Sequence, residues 1–420
     1  MTVLTVLEAA GAALWSAALP ILLCAAHLFL TIRLGVPQRR IGQGIRDSVR
    51  AADGERRSFS ALAVQLSATL GVGNITGVAL AVIGGGAGAV FWVWIAGLFG
   101  IATTYAEARM TLECRKAPGE GGPWDAMGPR LGSVYAFCVA LGGLFLGSMI
   151  PANAAALALP VPRPASAAVL TVLTGCVILG GADWIRRACE KLLPLAAALY
   201  LVCCCAILYV CRAELLPALR AIFSGAFRLR SAACGLLGGI CAASPGLRAV
   251  RYGVSRGLFS NEAGLGTAGI AAAALPDVDP SRHAMVSATA TFWDTVVFCG
   301  ITGVAFTAAA LHAGIDTADG AAFCLQAFSL LPLGRTAFRV CTVLLGYACI
   351  LGWGYVGARA FSRACPGVPE KVYAVFWTAA AGAGALCSAA AVWSVSDLLN
   401  AAAAVPILYI LWKYYGFIHT

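Results

Sequence analysis

Residues 59–83 read FSALAVQLSATLGVGNITGVALAVI. The apolar run of a spanning helix enters at Phe59 and leaves at Ile83, yet Gly71, Gly73 and Asn74 cluster at its middle. At about 1.5 Å per residue the flanking pieces 59–70 and 75–83 measure about 18 and about 14 Å, which together match a hydrocarbon core of about 30 Å. The interruption therefore falls near the midplane of a bilayer, where backbone outside a helix is tolerated only inside protein or along a cavity. Residues 253–275, GVSRGLFSNEAGLGTAGIAAAAL, repeat the pattern, with Ser260, Asn261, Glu262, Gly264 and Gly266 inside an apolar run. A single glycine cluster reads equally well as close helix packing. Two of one character, each opening a set of five spans, read as paired helix breaks, because an odd number of helices per repeat inverts the second repeat.

Composition sets the surroundings of these two stretches. Of 420 residues, 60% are apolar and only 11% charged, against about 45–50% and about 25% in soluble domains. A soluble or disordered chain is excluded, and the long continuous runs lack the alternation of a membrane β-barrel. The net charge of +10 does not point to nucleic acid, since the arginines occupy short loops without interleaved aromatics. The 17 cysteines include the contiguous Cys203, Cys204 and Cys205 and form no C-x-x-C pair, so they read as small apolar core residues. His27, His283, His312 and His419 are scattered, which gives metal catalysis no support.

An all-α polytopic membrane protein with about eleven spans follows: 10–32, 59–83, 88–112, 131–157, 166–182, 192–211, 252–275, 284–311, 336–360, 372–392 and 395–416. The first segment has no basic n-region and reads as a retained helix. With 33–58 in the cytoplasm, nineteen of the 29 Lys and Arg residues lie on that side, which puts the N-terminus outside and the C-terminus inside. The chain divides into an extra helix (1–32), a basic amphipathic cytoplasmic segment (33–58), a five-helix repeat (59–211), an external stretch (212–251) and a second repeat (252–420). Residues 36–58 read as one surface helix against anionic headgroups, and Ser231–Ser244 as an interfacial or re-entrant piece too short to span.

Four carboxylates fall in or at spans, and each costs at least about 2.5 kcal/mol at a bilayer centre, so a bundle-facing or functional position is the default. Glu262 lies in a break, either functional or accepting bonds from unwound N–H groups. Asp294 has a role of its own or a partner such as Arg256 or a Thr hydroxyl. Glu107 and Asp397, nearer helix ends, read as solvated or salt-bridged. Trp92, Trp94, Trp184, Trp393 and Trp412 read as an interfacial belt, whereas Trp353 lies inside its span, as pocket wall or core.

The blocks LGVGNITGVALAVIGGGAGAVFWVWIAGLFGIATTYAEARM (70–110) and VRYGVSRGLFSNEAGLGTAGIAAAAL (250–275), supported by GEGGPWDAM (119–127), FWDTVVFCG (292–300), ILGWGYVGARAF (350–361) and SDLLNAAAAVP (396–406), resemble the alanine or glycine:cation symporter family of prokaryotes. The resemblance implies a LeuT-type 5+5 inverted repeat preceded by one extra helix, in the cytoplasmic (inner) membrane. It implies sodium-coupled import of a small neutral amino acid, with no cofactor besides the co-transported ion. Carried over by motif, the substrate-binding candidates are Gly71, Gly73, Asn74, Asn153, Ser260, Asn261, Gly264, Gly266 and Trp353. The ion-coupling candidates are Thr69, Glu262, Thr267 and Asp294. The chain departs from the family pattern at Pro151, Ala348, Cys349, Ala358 and Ile407. Ala348 and Cys349 replace hydroxyls, and a thiol is a poor ligand for a hard cation.

Three alternatives stay open. The same fold could couple transport to protons or to nothing. It could bind amino acids as a transport-inactive sensor, although no polar segment is long enough for a signalling domain. An intramembrane enzyme is disfavoured, since no nucleophile–base pair recurs on adjacent spans.

Overall fold

The computed structural model describes residues 14–15, 19–49, 55–227 and 245–418. Among them every regular element is helical. Helix α1 (Leu19–Arg33) turns by 66° through Pro37–Arg40 into α2 (Ile41–Val49). Next come α3 (Glu55–Thr69), a π turn at Gly73–Gly77 and α4 (Val78–Gly85), with a bend of 54° between the two arms. Helix α5 (Gly88–Cys114) crosses without a break, and α6 (Pro129–Gly143) continues through a π turn at Leu144–Met149 into α7 (Ile150–Ala158). Helices α8 (Arg163–Ile178), α9 (Ala182–Val210) and α10 (Leu215–Ala226) follow. Beyond residue 244, α11 (Pro245–Asn261) and α12 (Thr267–Ala273) are two arms of one interrupted helix. Helix α13 (Pro280–Thr291) widens into a π turn at Phe292–Cys299 and continues as α14 (Gly300–Ala313). The chain ends with α15 (Gly320–Phe328), α16 (Gly334–Ala364), α17 (Glu370–Leu386) and α18 (Ala389–Lys413).

As far as it is described, each expected span falls on a helix or an interrupted pair, residues 10–13 and 16–18 of the first lying outside the described ones, and both breaks sit where glycine and polar residues cluster. Among the described residues six helices are long and apolar enough to cross alone, or eight if each bent pair is one span. Helices α8 and α17 have 16 and 17 residues, and α11–α12 is divided, so the count of eleven stays a reading of the sequence. The π turns at Leu144–Met149, Phe292–Cys299 and Tyr414–Ile418 were not expected.

Two packing groups enclose the centre. Helices α3, α4, α5, α11, α12 and α13 form one; α6–α7, α8, α9, α16, α17 and α18 form the other. They meet along α3 and α16, where a Cβ on Gly352 would collide with the Ala68 nitrogen. Small residues let backbones approach this closely. In the first group Gly97 and Gly100 of α5 take the side chains of Thr295, Thr291 and Asn261. At the end of the bundle that carries Arg115, Arg186 and Arg359, here the Arg-rich end, Arg115 donates to the carbonyls of Ala273, Leu275 and Pro276. A cation at the last turn of α12 also suits the helix dipole. Burial pushes the Arg115 guanidinium below its usual range, while the Asp277 carboxylate acts against that shift.

One expectation on the basic segment changes. Helix α2 is not a free surface helix over 36–58. Its Gly44 seats on Met285 and Thr289 of α13 and its Asp47 pairs with Arg282 at 3.1 Å, leaving Arg39, Arg40 and Arg46 exposed. A buried glycine and an acid at matching spacing draw one face onto protein instead of headgroups. Ser231–Ser244 and Arg50 lie outside the described residues.

Candidate functional site

The two breaks face each other across a buried carboxylate. Gly71 gives its N–H to Asn74 Oδ1 at 2.9 Å, which closes the first break on itself. Asn74 Nδ2 then donates to Asp294 Oδ1 at 2.6 Å and Ser260 Oγ at 3.0 Å. Asp294 Oδ2 accepts from Ser260 Oγ at 2.8 Å and Thr295 Oγ1 at 2.6 Å. The π turn at Phe292–Cys299 brings Asp294, Thr295 and Cys299 to this knot. It ties both interrupted helices to α13–α14, and both carboxylate oxygens are hydrogen-bonded, as a buried charge requires.

The second break is held by backbone conformation and by two neighbours. Glu262 has φ +55°, Gly264 +98° and Gly266 +81°, a left-handed run that only glycine adopts without strain. Glu107, fully buried on α5, accepts the Gly264 N–H at 2.6 Å, with the Gly266 N–H beside it. Tyr135 donates its hydroxyl to Leu265 O at 2.7 Å. A Cβ on Gly266 would run into that hydroxyl, and one on Gly264 would lie 2.5 Å from Leu23. Asn261 folds its Oδ1 onto Ala263 N at 3.0 Å.

Between the breaks lies a cavity of about 30 Å³ lined by Thr69, Gly71, Gly73, Ser260, Glu262 and Trp353. One Glu262 oxygen accepts the Trp353 indole N–H at 2.8 Å. The Thr267 hydroxyl lies beside the same carboxylate. Open space faces Gly73. Pro151 and Cys349, two of the departures, also line the cavity, and the Cys349 thiol donates to Ala68 O at 3.1 Å. Away from the Arg-rich end the cavity is covered by Phe259 on Trp393, centroids 5.0 Å apart, with Trp15 against Phe259 at 6.2 Å. One turn further out Arg256 and Asp397 act on each other's charge. Toward the Arg-rich end it is closed by the Gly352 seam.

The remaining candidates lie elsewhere. Asn153 does not line the cavity: its Nδ2 donates to Gly384 O and Cys387 O at 3.0 and 2.8 Å, capping α17. Asn261, Gly264 and Gly266 shape the second break from behind, and Asn74 and Asp294 sit in the knot. Two expectations are corrected and one is narrowed. Glu107 is neither solvated nor salt-bridged but props the unwound segment, because the break brings a free backbone N–H, that of Gly264, to a carboxylate deep in the bundle. Asp294 has the Thr hydroxyl of the two partners expected, Thr295, together with Ser260 and the Asn74 amide, while Arg256 faces Asp397. Trp393 is cavity cover instead of interfacial belt, because Phe259 projects from α11 to meet it. Glu107, Phe259 and Trp393 are the residues sequence reasoning missed or misplaced; Glu107 and Phe259 at least fall within the quoted motif blocks, whereas Trp393 lies just before one.

The profile of the sodium:alanine symporter family matches residues 1–416. The chain belongs to that family. The sodium/alanine symporter AgcS of Methanococcus maripaludis is 36% identical over 94% of this chain and 91% of its own. An uncharacterized transporter of Haemophilus influenzae is 33% identical over 97% and 93%. Among solved structures, that of MhsT in complex with L-phenylalanine superposes with a TM-score of 0.57 at 16% identity, covering 86% of this chain and 89% of that one. The fold is therefore of the LeuT type, and this member of the sodium:alanine symporter family is a multi-pass membrane transporter rather than an enzyme.

Proposed function

We propose that this symporter family member imports a small neutral amino acid, alanine or glycine in kind, together with sodium, by alternating access around the two breaks. One observation carries the reading: the buried Glu262 carboxylate lines the cavity between the breaks, and among the described residues no cation pairs with it. A zwitterion fits that polarity. Its ammonium group meets Glu262 and the carbonyl end of α3, and its carboxylate meets the N-terminal end of the arm that begins at Gly73, where a helix dipole favours an anion. Trp353 and the Phe259–Trp393 pair leave room for a small side chain only. Sodium, a hard cation that takes oxygen ligands, belongs at the knot, where Asp294, Ser260 and Thr295 offer oxygens. The repeats 59–211 and 252–420 supply the halves that rock, and the Arg-rich end faces the cytoplasm by the positive-inside rule. Sodium coupling here has support from the family and from the AgcS relative.

The deciding experiment is uptake of labelled alanine and glycine by purified protein in liposomes under an inward sodium gradient, an inward proton gradient or neither. Sodium-driven accumulation that is lost in Asp294→Asn is the expected result. One observation favours a proton-coupled version of the same cycle: the Cys349 thiol takes the Ala68 carbonyl, a group that would otherwise face a cation. Accumulation driven by protons without sodium selects that version, and no uptake of either amino acid overturns both.

A further inference from the structure

Two cavities open toward the Arg-rich end, of about 130 and about 370 Å³, and they share Ala182, Tyr355 and Arg359. The smaller one reaches Ser60, Ala61 and Val64 on α3 and Leu275 beyond α12, so it lies between the inner arms of both interrupted helices. Val64 stands one helical turn from Ala68 of the central cavity, and Arg359 stands six residues, about 9 Å of helix rise, from Trp353. Only the Gly352 seam separates the two spaces. A solute leaving the centre toward this end must pass Arg359.

Arg359 is equipped to meet an anion there. Its guanidinium makes two long bonds to neutral oxygens, Tyr355 Oη and Gly119 O, each at 3.3 Å, and rests on the Tyr355 ring at 5.6 Å. Among the described residues no carboxylate forms an ion pair with it. Glu370 and Glu120 act on it from further away. The acids that share its cavities are engaged by others: Asp183 pairs with Arg186 at 3.1 Å, and Glu370 accepts from Ser362 at 2.8 Å. A guanidinium has five donors in a planar fork matched to a carboxylate, and most of these are uncommitted.

We propose that Arg359 forms a second, transient substrate subsite on the inner exit route, which receives the amino acid's carboxylate as it leaves the central cavity. The inference rests on the transport reading above. The subsite draws the zwitterion past the seam carboxylate first and holds it more weakly than the centre, because Arg359 is only half-buried and an accessible ion pair is screened by salt.

The test compares the two faces of the membrane in right-side-out and inside-out vesicles carrying the full chain. In Arg359→Gln the half-saturating alanine concentration at the Arg-rich face, relative to that at the opposite face, is expected to rise about tenfold, the loss of one charge-assisted pair. Arg359→Lys, which keeps the charge without the fork, is expected to recover part of it. Alaninamide has no carboxylate, so its inhibition from the Arg-rich face is expected to be the same in wild type and Arg359→Gln. An unchanged ratio between faces, or a parallel loss of alaninamide inhibition, overturns the subsite while leaving the transport reading in place. Wild-type vesicles that move no amino acid overturn the transport reading, and the subsite with it.

Discussion

The Trp353–Glu262 bond is where one side chain decides whether the cavity holds a ligand. Trp353→Phe keeps the wall but removes the indole donor to the Glu262 carboxylate, and half-saturation in equilibrium binding of labelled alanine is expected to rise about tenfold. Combined with Glu262→Gln the effect should be less than additive, as for groups in one contact; full additivity would show that the two act apart. Glu107 is a different kind of acid. Glu107→Ala leaves the Gly264 N–H buried without an acceptor, a loss of about 1–3 kcal/mol, and Glu107→Gln, which restores an acceptor, should retain most of the stability in thermal unfolding of the purified protein. The sequence marks Glu262 because it interrupts a helix, whereas Glu107 reads as an ordinary acid near a helix end. Its bond to Gly264 spans 157 residues of chain, and no local pattern announces such a partner. Asn74 carries the same lesson: its place in the first break is legible, yet its amide turns to Asp294, across 220 residues, and not to the cavity.

At the scale of elements, the breaks are the most legible feature of the fold, since an uninterrupted helix has little use for glycine and polar residues together at the middle of an apolar run. The π turns are not legible. Leu144–Met149 and Phe292–Cys299 look like plain helix in sequence, and only packing against Trp353 and Asn74 selects the wider turn, a form found often at functional sites. The second break depends on Gly266 being glycine for two reasons, its positive φ and the hydroxyl of Tyr135. Gly266→Ala should therefore abolish uptake, and adding Tyr135→Phe, which removes the colliding oxygen, should restore part of it. The left-handed backbone still costs about 1–2 kcal/mol with a Cβ, so rescue stays incomplete. Failure of the double variant to recover any uptake, with protein at normal levels in the membrane, would locate the whole effect in backbone conformation.

For the whole molecule, composition already excluded everything but a helical membrane protein, and the order of the two breaks pointed to the transporter plan. The arrangement of closures around the centre had to come from the fold. Because the proposed substrate and ion sites both draw on the two breaks, ligands should stabilise the protein jointly. A hundredfold excess over Kd adds about 2.7 kcal/mol, read as a rise in unfolding temperature, and alanine with sodium should raise it more than the sum of either alone. Purely additive shifts would mean that the knot and the cavity do not communicate. The cavity of about 30 Å³ is closed on one side by Phe259 and Trp393 and on the other by the Gly352 seam, with room for little more than a water or two. Two seals in series around so little space amount to a lock with both doors shut. A solute enters only when one of them gives, and coupled transport depends on their never giving together.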